Sequence, residues 1–182
     1  MQSTIIASQH RRLPQGELIS EIRHEYIEVR FTPWRSRGER HNLISGNLFA
    51  ALRSKARAFG CKLFMADMKL RIRALKRFYY PDLLLTCNQS DGHEYYKEYP
   101  CLVIEVMSPS TEGTDRREKL QAYQSIPSLQ EYVLVAQERR QIEIYRRDDE
   151  RWQHITLDAD DPVYFSCLDL ELSMAQVYED VL

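Results

Sequence analysis

The chain has 182 residues, 43% of them hydrophobic and 29% charged, with a formal net charge of −2. That length suits a single domain with a real core, and the near-neutral balance excludes a polycation that binds nucleic acid over its whole surface. No stretch is apolar enough to cross a bilayer and the opening MQSTIIASQHRRLPQG lacks an apolar signal core, so a cytoplasmic location and no membrane partner are expected.

Residues 1–16 read as loosely ordered and Glu17–Glu25 as a short helix-like stretch. Tyr26–Phe31 alternates, with Ile27, Val29 and Phe31 on one face, and predicts a strand. Thr32–Arg40 is basic and turn-like. His41–Phe59 is the first strong helix: Ile44, Leu48, Leu52, Ala56 and Phe59 recur at helical spacing, and Gly60 marks the stop. Cys61–Ala66 and Met68–Arg73 read as extended, the latter with Met68, Leu70 and Ile72 on one side and Lys69, Arg71 and Arg73 on the other. Tyr79–Thr86 predicts a strand, Asn88–Pro100 a polar loop, and Cys101–Met107 a central buried strand.

Ser108–Thr114 leads into a helix over Asp115–Ser125, where Asp115 and Glu118 have capping-box spacing and Ile126-Pro127 ends the helix. Glu131–Ala136 is a strand. The helix before it would be the crossover that makes it parallel to Cys101–Met107. Gln141–Arg147 and Trp152–Leu157 read as antiparallel strands, and Ser173 with Gln176 opens a last short helix. This order predicts an α/β (α+β mixed) fold, a mixed sheet with helices on its faces.

Four cysteines (Cys61, Cys87, Cys101, Cys167) lack C-x-x-C spacing and read as buried, reduced thiols rather than disulfides or a zinc site. The histidines show no H-x-x-H or H-E-x-x-H grouping, which argues against a zinc hydrolase.

Two acids stand out. Glu105 falls inside an apolar strand, sharing a face with Val103 and Met107 while Leu102, Ile104 and Val106 point the other way. A carboxylate there loses hydration, which is costly unless a cation or donors compensate. Asp82 stands at the mouth of the apolar run Leu83-Leu84-Leu85. Two such acids on neighbouring strands would make a site for a hard divalent ion.

Those acids lie in text that resembles a known family. The matching pieces are SEIRHEY at 20–26, RHNLI at 40–44, Asp67-Met68, Tyr80-Pro81-Asp82, LVIEVMSPST at 102–111, DRREK at 115–119 and LQEYVLV at 129–135. Together they resemble the Uma-two family of restriction endonucleases, within the PD-(D/E)XK nuclease superfamily. The E-V-x-S-P-S-T stretch is the most specific piece.

The resemblance implies a restriction-endonuclease-like core in which Asp82 and Glu105 hold magnesium or manganese, with the Val106 carbonyl as a third donor. The lysine of that motif should stand two residues after Glu105, but Met107 is there, and a thioether cannot do a lysine's electrostatic work. Lys119, one turn inside the following helix, is the expected replacement, the plainer reading being an ordinary exposed helix residue. The family's Asp-Gly turn after the first strand is also missing: Glu28-Val29 stands there, which puts the first hairpin in question.

DNA would be the substrate. Ser108, Ser110 and Thr111, together with Arg71, Arg73, Arg116 and Arg117, would contact its phosphates. Asp67, His41 and Glu25 are weaker site candidates. A homodimer would suit a duplex with two strands to cut.

Each sharp reading has a plainer one beside it. Asp82 after Pro81 could cap a strand end, Glu105 could pair with Lys119 without a metal, and Asp67 could be a turn residue. Ser108, Ser110 and Thr111 could cap the helix. Tyr79, Tyr80, Tyr95, Tyr96 and Tyr99 look like a base-stacking set but fit core and loop packing better. The leading function is a metal-dependent endonuclease acting on DNA. The alternatives are a non-catalytic DNA-binding or interaction protein on the same fold, and a hydrolase of another phosphate ester.

Overall fold

The computed structural model describes residues 24–27, 30–33, 38–108 and 112–182. A hairpin of β1 (His24–Ile27) and β2 (Arg30–Pro33) comes first, followed by helix α1 (Glu39–Ala58). Next come β3 (Lys62–Met65), β4 (Lys69–Ile72), β5 (Arg77–Tyr79), β6 (Leu83–Thr86), β7 (Tyr96–Lys97) and β8 (Leu102–Met107). One helical run then passes through α2 (Glu112–Thr114), a π-turn (Asp115–Lys119) and α3 (Leu120–Gln124). Strands β9 (Glu131–Ala136), β10 (Ile142–Asp148), β11 (Arg151–Leu157), β12 (Val163–Phe165) and β13 (Leu170–Leu172) precede α4 (Met174–Val177).

The main sheet has six strands in the order β11-β10-β9-β8-β6-β3. Only β8 and β9 run parallel, because the helical crossover between them returns the chain to the same end. The other neighbours in this sheet are antiparallel. A smaller sheet, β5-β4-β7, holds a parallel β4–β7 pair.

The side-chain alternation of β8 divides the core in two. Leu102, Ile104 and Val106 pack with Ile44, Leu48, Leu52 and Ala56 of α1 and with the C-terminal residues Phe165, Leu168 and Tyr178. Val103 and Met107 pack on the other face with Ala122, Tyr123, Leu129 and Tyr132, and with Leu70, Ile72 and Tyr79. Glu105 shares that second face, as its position in the strand predicts. The α1 stripe at 44, 48, 52 and 56 is fully buried, so Leu48→Ala would cost about 2–5 kcal/mol. Gly60 takes the left-handed conformation (φ 69°) that ends a helix.

Several expectations need correction. Tyr26–Phe31 is not one strand. The pairing Ile27↔Arg30 folds it into a hairpin, so the first hairpin forms without an Asp-Gly turn. His24 and Glu25, expected at a helix end, belong to β1; residues 1–23 lie outside the described part. Tyr79–Thr86 breaks at Pro81, whose missing N–H cannot join a ladder, and its two halves enter different sheets. The 88–100 loop contributes β7, and β12 and β13 add a small antiparallel pair that the sequence did not announce. Among the described residues the crossover helix runs from Glu112, so Asp115 lies inside it rather than at its N-cap.

The cysteine expectation also fails: Cys61 and Cys87 form a disulfide. The cause is register. Lys62 pairs with Thr86, so one step further along these antiparallel strands Cys61 faces Cys87, with Cα atoms 4.1 Å apart. Spacing along the chain cannot reveal that contact. Cys101 and Cys167 are free thiols.

Candidate active site

The site lies where β6 begins and β8 approaches its end. Pairing of these strands stops at Leu83↔Ile104, and one further step along the register sets Asp82 against Glu105. The Val106 N–H would have no ladder partner beyond that point. The Asp82 carboxylate supplies one: Oδ2 accepts from Val106 N at 2.7 Å. The same oxygen lies 3.1 Å from His41 Nε2 in the first turn of α1. Asp82 is thus held between the sheet and the helix that covers its first face. Its backbone carbonyl accepts from Ala66 N, closing the β3–β4 turn against it.

Glu105 is held from the opposite layer. Oε1 accepts from Lys119 Nζ at 3.1 Å and from the Tyr123 hydroxyl at 2.9 Å. Lys119 also reaches Asp115 Oδ1 at 3.1 Å. A π-turn closes i→i+5 hydrogen bonds and so inserts one extra residue into the helical run, which alters which side chains share a face. Such turns recur at functional sites. Here Asp115 and Lys119 both point inward, at 1% and 2% exposure. Tyr132 donates its hydroxyl to the Asp115 carbonyl, anchoring the turn. Tyr123 stacks edge-on between Tyr79 and Tyr132, and burial raises the Tyr79 pKa.

The two anticipated acids and Lys119 therefore come to one end of two adjacent strands, and His41 joins them. Asp115 and Tyr123 belong to the same network and were missed. The i,i+4 spacing of Asp115 and Lys119 was the available signal. Met107, at the position of the motif lysine, is buried in the second core.

Other candidates fall elsewhere. Arg73 makes a two-pronged contact with Glu98 at 2.6 and 2.5 Å, which holds its pKa above the ordinary value. Arg71 binds the Tyr96 hydroxyl at 3.1 Å and lies 3.4 Å from Glu98. Arg116 pairs with Glu112 and Glu143, while Arg117 is exposed. Asp67 is an exposed turn residue. Glu25 pairs with Thr32 in the hairpin. Ser108 offers its carbonyl to Glu112 N and so starts the helix. Ser110 and Thr111 lie outside the described residues. Of the tyrosines considered for stacking, Tyr79, Tyr80 and Tyr96 are buried and Tyr95 is exposed.

Among the described residues, no group of three or more His, Cys, Asp or Glu side chains is arranged to hold a metal ion. Magnesium needs fewer protein ligands than that: one or two carboxylates suffice, the rest being water and phosphate. Asp82 and Glu105 carry the oxygen donors that magnesium takes, the first held from the α1 side of the sheet and the second from the crossover-helix side.

A mixed sheet flanked by helices is an architecture shared with a solved nuclease-like fold. The structure matches the crystal structure of a "putative nuclease belonging to DUF820" from Anabaena variabilis ATCC 29413, with a TM-score of 0.73 at 16% identity over 90% of this chain and 93% of that one. The model of the Uma2 family, "Putative restriction endonuclease", matches residues 7–175, and the chain belongs to that family. Two relatives come from Synechocystis sp. PCC 6803. The uncharacterized protein slr1290 is 30% identical over 90% of this chain and 87% of its own length. The uncharacterized protein sll1609 is 29% identical over 76% of this chain and 80% of its own. Among the described residues, no helix is long and apolar enough to cross a membrane.

Proposed function

We propose that the protein is a divalent-metal-dependent endonuclease that hydrolyses DNA phosphodiester bonds. The observation that carries this reading is the opposed register of Asp82 and Glu105, with Lys119 on Glu105. Membership of the restriction endonuclease family supports it.

Asp82 and Glu105 would hold magnesium or manganese, with the Val106 carbonyl as a third donor. Bound there, the ion lowers the pKa of water and offsets charge growing on the phosphate. His41 fixes the Asp82 carboxylate in one orientation. Lys119 supplies the positive charge that Met107 cannot, and Asp115 keeps its ammonium beside Glu105. Arg117, exposed on the same helical run, and Arg116 would contact the DNA backbone without reading sequence, and Ser108, Ser110 and Thr111 are proposed for the same role. Arg71, Arg73 and Arg116 are weaker candidates than Arg117, since the first two engage Glu98 and Arg116 engages Glu112 and Glu143.

A second reading is a DNA-binding protein on this fold that does not cut. The buried Lys119–Glu105–Asp115 network favours it, because that network is compensated without a metal. Supercoiled plasmid with magnesium or manganese separates the two. Nicking by the wild type, lost in Asp82→Asn and Glu105→Gln, supports the enzyme. Salt-dependent DNA affinity with no nicking supports the binder. Equal cleavage by all three proteins would remove this site from the reaction.

A further inference from the structure

The four cysteines converge at the end of the main sheet opposite Asp82. Cys61 precedes β3, Cys87 follows β6, Cys101 precedes β8, and Cys167 sits in the short 3-10 turn after β12. Cys87 lies at the other end of β6 from Asp82, about 16 Å away at the rise of an extended strand. Cys61 and Cys87 are bridged. The free Cys101 Sγ stands 3.5 Å from Cys87 Sγ. Cys167 Sγ lies 3.1 Å from the Cys101 carbonyl. A hydrogen bond from the Cys167 thiol lowers the Cys101 pKa, and Cys167 keeps its own proton correspondingly tightly. Cys87 is exposed whereas Cys61 is buried, so solvent meets the sulfur that Cys101 also faces.

We propose that these cysteines form a thiol–disulfide exchange site in which Cys101 attacks Cys87. The Cys101 thiolate forms an S–S bond with Cys87, and the Cys61–Cys87 bond breaks. Cys61 leaves as a thiolate and takes a proton from water, replacing the one Cys101 gave up. One disulfide is consumed and one is made, so no oxidant or reductant enters. The bridge moves from the β3–β6 junction to the β6–β8 junction, releasing the edge strand β3 and the end of α1 from their covalent tie. The same geometry lets Cys101 resolve a mixed disulfide formed between Cys87 and a small external thiol. This site is independent of the nuclease reading.

The test begins with the full-length protein in buffers of reduced and oxidised glutathione. Rapid alkylation and peptide mapping then locate the bridges. Cys61–Cys87 and Cys87–Cys101 peptides should both appear, and Cys101→Ser should abolish only the second. In Cys61→Ser, a glutathione adduct on Cys87 should disappear at least about tenfold faster than in the Cys61→Ser/Cys101→Ser double variant, as an intramolecular attacking thiol requires. Equal adduct lifetimes, or a Cys61–Cys87 bridge alone at every ratio, would overturn the proposal. So would reduced wild-type protein carrying one zinc that shields all four thiols from alkylation, since the quartet would then be a metal site.

Discussion

Lys119 and Glu105 form an ion pair 3.1 Å long between side chains that are 2% and 1% exposed, and the same ammonium lies 3.1 Å from Asp115. Burying ions is expensive, and attraction repays the cost only with good geometry and further hydrogen bonds. Tyr123 supplies one such bond to Glu105. The arrangement links the π-turn to the central strand, so the stability of the fold and the chemistry proposed for the site depend on one cation.

Lys119→Met should therefore be costly. It keeps most of the stem's volume but removes the ammonium shared by two buried acids, and about 3–5 kcal/mol of stability should be lost in urea unfolding. Glu105→Gln leaves Lys119 its contact with Asp115, so a smaller loss of about 1–3 kcal/mol is expected. If Asp82 and Glu105 take up magnesium, the ion should raise the urea midpoint of the wild type and not that of Asp82→Asn. A Lys119→Met protein as stable as the wild type would show that the pair does not hold the turn in place.

His41 gives a second prediction, on activity. Its Nε2 lies 3.1 Å from the Asp82 oxygen that also accepts the Val106 N–H. His41→Ala should lower plasmid nicking by about 10–100-fold, the usual cost of losing a residue that orients a metal ligand. His41→Asn, which can still donate, should recover part of it. Nicking at the wild-type rate in His41→Ala would make the contact merely structural.

Much of this was legible in the sequence. The α1 stripe as far as Ala56, the alternation on β8, the parallel β8–β9 pair and the β10–β11 hairpin all follow from periodicity and from the length of the crossover, whereas Phe59, expected to extend the stripe, is exposed just past the helix end. What escaped depends on which strands become neighbours. Cys61 meets Cys87 only because β3 lies beside β6, and the Asp115–Lys119 pair meets Glu105 only because the crossover helix packs against β8. Arg71 and Arg73 looked like a phosphate-binding face, yet β7, formed from an unremarkable polar loop, is followed by Glu98, which engages both. Local pattern predicts elements; contacts between elements far apart in sequence decide the site.

The disulfide yields a third prediction. A bridge closing 26 residues constrains the unfolded chain by about 3–4 kcal/mol in the loop-entropy account. Chemical unfolding with and without a strong reductant should differ by roughly that amount, and Cys61→Ser/Cys87→Ser should match the reduced wild type. Identical midpoints in oxidised and reduced protein would mean the bridge carries no stability.

Tyr178 provides the pH dependence. Its hydroxyl is buried, lies 2.8 Å from the Ala136 carbonyl and 2.9 Å from the Gln141 carbonyl, and accepts from Gln141 N. Burial pushes its pKa up from 10.0 to about 12. In the folded protein the group holds its proton more tightly than in the unfolded chain. Its contribution is therefore complete below pH 10 and is lost as pH rises from 10 to about 12, since there the unfolded state alone ionises. Two units correspond to roughly 3 kcal/mol at the alkaline end. Tyr178→Phe should lower stability at neutral pH by about 1–2 kcal/mol, through the lost hydrogen bonds, and flatten the fall in stability between pH 10 and 12. Stability curves for wild type and variant that run parallel across that window would show that Tyr178 does not titrate with unfolding.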